Sequence, residues 1–391
     1  MKVTLSTWSR FHLFDLAAQM SSRGLLHSIC TTLPRYIAKQ DIIFSSVGID
    51  KLFTYPYFFM PQVALDRALG QTLINEASAV LTTRTYQKYV AEHLAKNLDN
   101  IDAYIAISGS GFKGGKFMID HGKAYCFDRG STEITHQLNV MQMLHDQLRL
   151  PCRKVAGWLI ENETKEASIA TAITVPSSYC KQTFIDKGFS SAKIHVIPYG
   201  VNLTEFYRDQ CLKSTSRNQL IFCGQFSIRK GAHVLVDYFG KSPYNGIRLS
   251  VVGSVNPNIS KLFGDTSIAN IDFHGVVPRS RVRFYMQQAK ALILPSFEEG
   301  LALVMLQALA CGVPIIASIQ SGATEYIRDG YNGFILEDIS TQAIDQAIRR
   351  LYSQTDEEEE AMSENCLASV NDIGGWDSYG QHWVDLINKI T

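Results

Sequence analysis

The chain has no net charge: thirty-seven basic residues offset thirty-seven acidic ones. No global field therefore draws it to nucleic acid or anionic lipid, and any anion site must be local. Its eight cysteines, at 30, 126, 152, 180, 211, 223, 311 and 366, include no C-x-x-C pair and no metal-like cluster. Most sit in apolar runs, as Cys223 does in Leu220-Ile221-Phe222-Cys223, and read as reduced thiols packed as small hydrophobes. No stretch reaches the roughly 18 apolar residues that cross a bilayer. Arg10, His12 and Asp15 interrupt the opening segment, which excludes a secretory signal. Internal repeats and low-complexity tracts are also lacking. A cytoplasmic protein without nucleic-acid partners is expected.

What is present is an ordinary globular composition, 46% apolar and 19% charged over 391 residues, enough for two domains of roughly 200 residues each. Short β-rich runs alternate with helical patterns, which predicts parallel sheets with crossover helices. Strands are expected at Val3–Leu5, Ser28–Thr31, Ile42–Ser45, Ala103–Ile107, Ala124–Phe127, Ala172–Val175 and His195–Ile197. In the second half they are expected at Leu220–Cys223, Leu249–Val252, Asp272–His274, Ala291–Leu294, Ile315–Ala317 and Gly333–Leu336. His12 to Arg23 carries Leu13, Leu16, Ala17 and Met20 at helical spacing, and Ser177 to Lys187 is a helix punctuated by Pro176 and Gly188.

The polar stretch Arg208 to Asn218 is the candidate linker. Domains are therefore expected at 1–202 and 203–375, with a final helix over about 376–391 returning to the first. Such an arrangement leaves a cleft facing the carboxyl ends of the strands. The acidic run Asp356 to Glu360 reads as a helix start favoured by the macrodipole. Tyr55-Pro56-Tyr57-Phe58-Phe59-Met60-Pro61 is densely aromatic. A buried loop is the plainer account of it; peripheral contact with the inner face of a membrane, or with a hydrophobic acceptor, is the alternative.

The most informative stretch runs from Pro295 to Pro314. A strand ends at Pro295, Glu298-Glu299-Gly300 follow, and a helix from about Leu303 to Cys311 is closed by Gly312. The first turn of a helix leaves N–H groups unpaired, and a glycine lets the chain turn and an anion approach. Together they suit a diphosphate.

This segment resembles the signature of glycosyltransferase family 4, in which a Glu, Gly, any residue, Gly run opens a helix and a second Glu stands eight positions after the first. The resemblance continues through Gly224-Gln225-Phe226-Ser227-Ile228-Arg229-Lys230-Gly231, similar to the family's phosphate loop. Phe273-His274-Gly275-Val276-Val277 is similar to its base-contacting turn. Ser321-Gly322-Ala323-Thr324-Glu325 and Asp329-Gly330-Tyr331-Asn332-Gly333 are similar to its closing elements. In the first half, Glu166 to Ser177, Ile197 to Asn202 and Phe127-Asp128-Arg129-Gly130-Ser131 look like a bacterial branch of the family.

The resemblance implies a GT-B fold, two Rossmann-like domains with parallel sheets facing a central cleft. It also implies retaining transfer of a sugar from a UDP- or GDP-sugar to a saccharide or lipid-linked acceptor, in cell-surface polysaccharide or glycoconjugate synthesis. Lys230 matches the lysine aimed at the donor diphosphate, with Arg229 beside it; a solvated helix-start lysine is the plainer alternative. Glu299 matches the first glutamate, near the donor sugar, or is a plain helix cap. Gln307 stands where the second glutamate grips the ribose, and Gln225 where an arginine is usual. Both substitutions remove charge, though a glutamine can still bond a diol. Gly224 belongs to the phosphate loop. Gly300 and the N–H groups of Leu301, Ala302 and Leu303 are the expected diphosphate seat, and Val276 and Val277 would offer backbone to the nucleobase.

The family's first-domain catalytic histidine has no clear counterpart. The matching strand runs into Asp128 and Arg129, which either face sugar and phosphate or form a structural pair. His121 fits a helix-end cap, and His12 lies where the family's acceptor-side helix begins. In the family the leaving phosphate itself helps to deprotonate the acceptor. No metal-ligand spacing appears, so no cofactor or metal is expected, with Lys230 and helix amides in place of a cation. An epimerase or phosphorylase of the same architecture would need first-domain acids and histidines, or a cofactor lysine, that cannot be assembled from the sequence. A catalytically weakened protein acting as a nucleotide-sugar-binding or partner-binding subunit is the remaining alternative, and Gln225 and Gln307 are its arguments.

Overall fold

The computed structural model describes all residues except 39–46, 58–72, 153, 210–217, 242–245, 265–267 and 269. Two all-parallel sheets organise the chain. The first has seven strands: β1 (Val3–Thr7), β2 (Leu26–Thr31), β3 (Leu52–Thr54), β4 (Ala103–Ile107), β5 (Ala124–Asp128), β6 (Ala172–Val175) and β7 (Ile194–Val196), in the order β3-β2-β1-β4-β5-β6-β7. The second has six: β8 (Gln219–Cys223), β9 (Arg248–Val252), β10 (Ile271–Gly275), β11 (Ala291–Leu294), β12 (Ile315–Ser318) and β13 (Gly333–Leu336), ordered β10-β9-β8-β11-β12-β13.

Every residue of β1, β4, β5, β11 and β12 is buried. Helices cover both faces of these strands, so β4 and β11 read as continuous apolar runs, while in β1 the polar Thr4, Ser6 and Thr7 are buried as well. In each sheet the strand order reverses once, between β1 and β4 and between β8 and β11. Crevices at the carboxyl ends of such switch points are where open α/β sheets hold ligands.

Twelve of the thirteen observed strands coincide with the expected runs, with shifts at their ends. β3 was not anticipated, and the expected strand at Ile42–Ser45 lies outside the described residues. Of the aromatic segment only Tyr55, Pro56 and Tyr57 are described; Tyr55 stacks on Tyr89 at 4.7 Å, while Tyr57 is exposed. Of the linker stretch only its ends are described. There Arg208 binds Glu360 at 2.8 Å and Glu364 at 2.6 Å. Those acids lie on the helix Asp356–Ile373, which opens on a capping box formed by Thr355 and Glu358, so the acidic run is a helix start.

The chain passes between the sheets at Tyr199–Asn202 and again at Gly374–Trp376. The two passages touch, since a side chain at Gly200 would collide with the backbone of Gly375. The last helix, Trp376–Ile390, packs on the helix His12–Ser22 of the first sheet. Arg23 binds Asp377 at 2.6 Å there, and Trp383 is fully buried. An aromatic side chain so placed stabilises the fold by about 2 kcal/mol through burial alone. No helix among the described residues is long and apolar enough to cross a membrane.

Candidate active site

At the end of β8 the chain turns through Gly224 and buries Phe226, then closes a single 3-10 turn, Ile228–Lys230, at Gly231. Gly231 is in the left-handed region at φ 74°, and any Cβ there would strike the carbonyl of Pro295 at the end of β11. The tight turn is thereby wedged against the neighbouring loop, and Phe297 N–H donates to Arg229 O at 2.8 Å across the same gap. This contact brings Lys230 Nζ to 2.6 Å from Glu299 Oε2. Arg229 stands behind the pair, its Nη1 3.3 Å from Glu299 Oε1 and 2.7 Å from the Glu298 carbonyl.

The pair opens into a cleft of about 820 Å³ between the two domains. From the second domain, Gly224, Lys230, Glu299, Leu301, Ala302, Leu303 and Gln307 line it; from the first, Trp8, His12 and Arg129 are among those that do. The helix Leu303–Ala310 points its start into this space, and no side chain caps it at Ala302. Its first amides are therefore available to an anion. Ala302 is the weakest of the three expected donors, because its N–H is turned to Ser321 O at 3.4 Å.

Several expected residues lie elsewhere. Gln225 is exposed and Val276 is 79% exposed; neither, nor Val277, lines the cleft. Gly300 is buried where the first domain presses on it. A Cβ at 300 would collide with the Gly130 carbonyl, and Ser177 Oγ donates to Gly300 O at 2.7 Å. Asp128 and Arg129 do not pair with each other in these contacts. The Arg129 guanidinium is spent on the framework, with Glu163 at 3.0 Å, Thr132 O at 2.9 Å, Ser108 Oγ at 3.0 Å and Gln137 Oε1 at 2.8 Å. His121 caps its own helix through Phe117 O at 2.8 Å.

Two residues outside the expected catalytic and donor-binding set carry buried contacts, and one of them, His12, is the residue at the start of the acceptor-side helix. Glu298 is fully buried and reaches across the domain boundary. Its carboxylate accepts from Ser131 Oγ at 2.5 Å, Thr132 Oγ1 at 2.8 Å and Gln137 Nε2 at 3.1 Å, with Arg229 at 3.3 Å. Burial works to raise its pKa, but Arg229 and these donors outweigh it and hold the carboxyl below its ordinary value. The second is His12, whose Nε2 lies 2.5 Å from Asp128 Oδ2, while Thr174 holds the other carboxylate oxygen at 2.8 Å. Among the described residues no group of three or more metal-ligating side chains occurs.

Residues 204–367 match the family model of Glycosyl transferases group 1. The fold is GT-B, α/β with two Rossmann-like parallel-sheet domains facing a central cleft. Among solved structures, a sucrose-phosphate synthase from Thermosynechococcus elongatus superposes with a TM-score of 0.74 at 17% identity, over 100% of this chain and 99% of that one. The Anabaena protein HepE, crystallised with UDP-glucose, gives 0.66 at 14% identity over 100% of both chains. An uncharacterized glycosyltransferase of Methanocaldococcus jannaschii is 27% identical over 177 residues, 45% of this chain and 48% of its own. The matches span about half the length of the first curated relatives. The group 1 segment contains Lys230, Glu298, Glu299 and Gln307. His12, Asp128 and Arg129 lie outside it.

Proposed function

We propose that the chain is a retaining glycosyltransferase, moving a sugar from a UDP- or GDP-sugar onto a saccharide or lipid-linked acceptor in cell-surface polysaccharide or glycoconjugate synthesis. The observation that carries the reading is the Lys230–Glu299 pair, 2.6 Å apart, at the uncapped start of the helix Leu303–Ala310. An ammonium can donate three hydrogen bonds. Lys230 can thus keep Glu299 and still reach a phosphate oxygen, offsetting charge that builds on the diphosphate as the sugar bond breaks. Glu299 then faces the positive charge developing at the anomeric carbon. Gln307, one helical turn further along the same cleft wall, would bond the ribose hydroxyls.

No metal is required in this reading, since a lysine and helix amides do the work of a cation. The test is nucleotide release from UDP-glucose and GDP-mannose in excess chelator. Lys230→Ala is expected to weaken donor affinity and turnover together, and Glu299→Gln to lower turnover at least tenfold with little change in KM. Turnover that chelator abolishes and magnesium restores would remove the metal-free mechanism. Equal turnover in Glu299→Gln and the parent would remove Glu299.

A further inference from the structure

A second hollow, of about 360 Å³, opens on the first domain. The helix Leu73–Lys96 supplies Arg84 and Gln87 to it, the helix Phe112–Asp120 supplies Lys113, and the helix Gly157–Ile169 supplies Trp158 and Asn162. Its rim is cationic in a chain that has no net charge. Arg84 and Lys113 are exposed, and neither has a carboxylate partner among the described residues; Lys165, further along the rim, is matched by Glu161 at 3.6 Å. Lys113 Nζ donates to Arg84 O at 3.3 Å, which gathers the two free charges at one edge. The Arg84 guanidinium lies 4.7 Å from the centroid of the Trp158 ring, a cation–π contact that holds its fork in place.

The floor is polar and incompletely satisfied. Asn162 is 5% exposed, and its Nδ2 has no hydrogen-bond partner among the described residues. Its Oδ1 has a long contact, 3.5 Å, with Gln87 Nε2, which is itself committed to Gly109 O at 2.7 Å. Buried amide groups are almost always paired, so an orphaned donor in the lining of a hollow is where a ligand oxygen completes the set. The hollow also adjoins the cleft. Asn162 and Glu163 are consecutive on one helix, and Asn162 lines the hollow while Glu163 lines the cleft. The loop Ser108-Gly109-Ser110 stands between them. Gln87 holds its Gly109 carbonyl from the hollow, and Trp8 Nε1 holds its Ser108 carbonyl at 3.1 Å from the cleft.

We propose that this hollow binds an acidic sugar unit of the acceptor. The inference rests on the transferase reading of the cleft and names its acceptor class, a saccharide bearing carboxylate or phosphate groups. The planar guanidinium of Arg84 grips either anion with two parallel N–H bonds, and Lys113 adds a second charge. A ring hydroxyl reaches the amide of Asn162, which a lipid tail would leave unpaired. At about 360 Å³ the hollow is at the small end of ligand pockets, a size for a sugar unit rather than for the nucleotide that the cleft serves. With that unit anchored, the saccharide crosses the Ser108-Gly109-Ser110 loop and its end enters the cleft. The anchor selects the acceptor; no group in the hollow takes part in making or breaking the sugar bond.

The test is isothermal titration of the whole chain, without donor, using trigalacturonate for the carboxylate, glucose 6-phosphate for the phosphate and maltotriose as the neutral control. One acidic ligand is expected to bind at a single site per chain, the tighter of the two identifying the anion. Its affinity should fall as salt rises, and maltotriose should bind at least tenfold more weakly. Arg84→Gln, a change at an exposed position, should weaken the acidic ligand about tenfold. Asn162→Leu, checked for folding by circular dichroism, should weaken it about threefold. Affinity for UDP or GDP should stay as in the parent. The inference is overturned if acidic and neutral saccharides bind alike, if neither binds, or if either variant matches the parent. Arg84-dependent binding of phosphatidylglycerol vesicles in place of saccharide overturns it too. Each of these results leaves the transferase reading intact. A parent chain that binds neither UDP nor GDP overturns that reading, whatever saccharide it holds.

Discussion

Glu299 and Gly300 are neighbours with unlike duties. Glu299 faces the cleft and holds Lys230, whereas Gly300 is where the first domain rests its Gly130 carbonyl. A methyl group at 300 must push the domains apart or displace the loop. Gly300→Ala is expected to cost about 1–3 kcal/mol, the usual scale of overpacking, read as a lowered urea midpoint. It should also weaken nucleotide binding, since the cleft wall moves with it. The sequence showed that a glycine was needed here but not which neighbour required it, because the contact comes from a residue 170 positions earlier. Glu298 was illegible for a related reason: two adjacent carboxylates look alike in sequence, and only the packing of Ser131, Thr132 and Gln137 selects one to cross the boundary.

The elements of the second sheet were legible almost to the residue, because each buried strand is a short apolar run bounded by glycine, proline or a polar turn. β3 was not, being three residues long at the sheet edge with only Leu52 buried, too short to show any period. The loop from β11 to the helix Leu303–Ala310 is the element on which the domains meet. Its Glu298 gathers the side chains of three residues from the first domain and Arg229 from its own. Removing one member of so buried a set leaves its partners unsatisfied. Glu298→Ala is thus expected to destabilise by about 3–5 kcal/mol and to widen the interdomain angle. Small-angle scattering indistinguishable from the parent, with an unchanged melting temperature, would show that the loop does not hold the domains together.

For the whole molecule, acid should be the damaging direction. Burial pushes the pKa of His233, which lies flat on Phe297, down to about 4. Burial, helped by His27 and Lys96, does the same for His93. An unfolded histidine titrates near 6.5. Between about pH 6.5 and 4 the unfolded chain therefore takes up protons that the folded chain refuses, and stability falls across that window. Glu298, held below the ordinary carboxylate range, adds to the loss as pH falls further. The two histidines together should account for about 2–4 kcal/mol after allowance for solvent screening. A urea midpoint that drops from pH 7 to pH 4.5, and drops less in His233→Gln, is the expected record; a flat profile would contradict it.

At the same scale, a chain without net charge must gather its positive character locally to hold a diphosphate, and the account stands on where it does so. Isothermal titration of UDP and GDP into the parent and into Lys230→Ala, in excess chelator, tests this most directly. One site per chain for at least one nucleotide, weakened at least tenfold by the substitution, is the predicted result. Equal affinity in the two proteins, or binding that appears only with added metal, would contradict it.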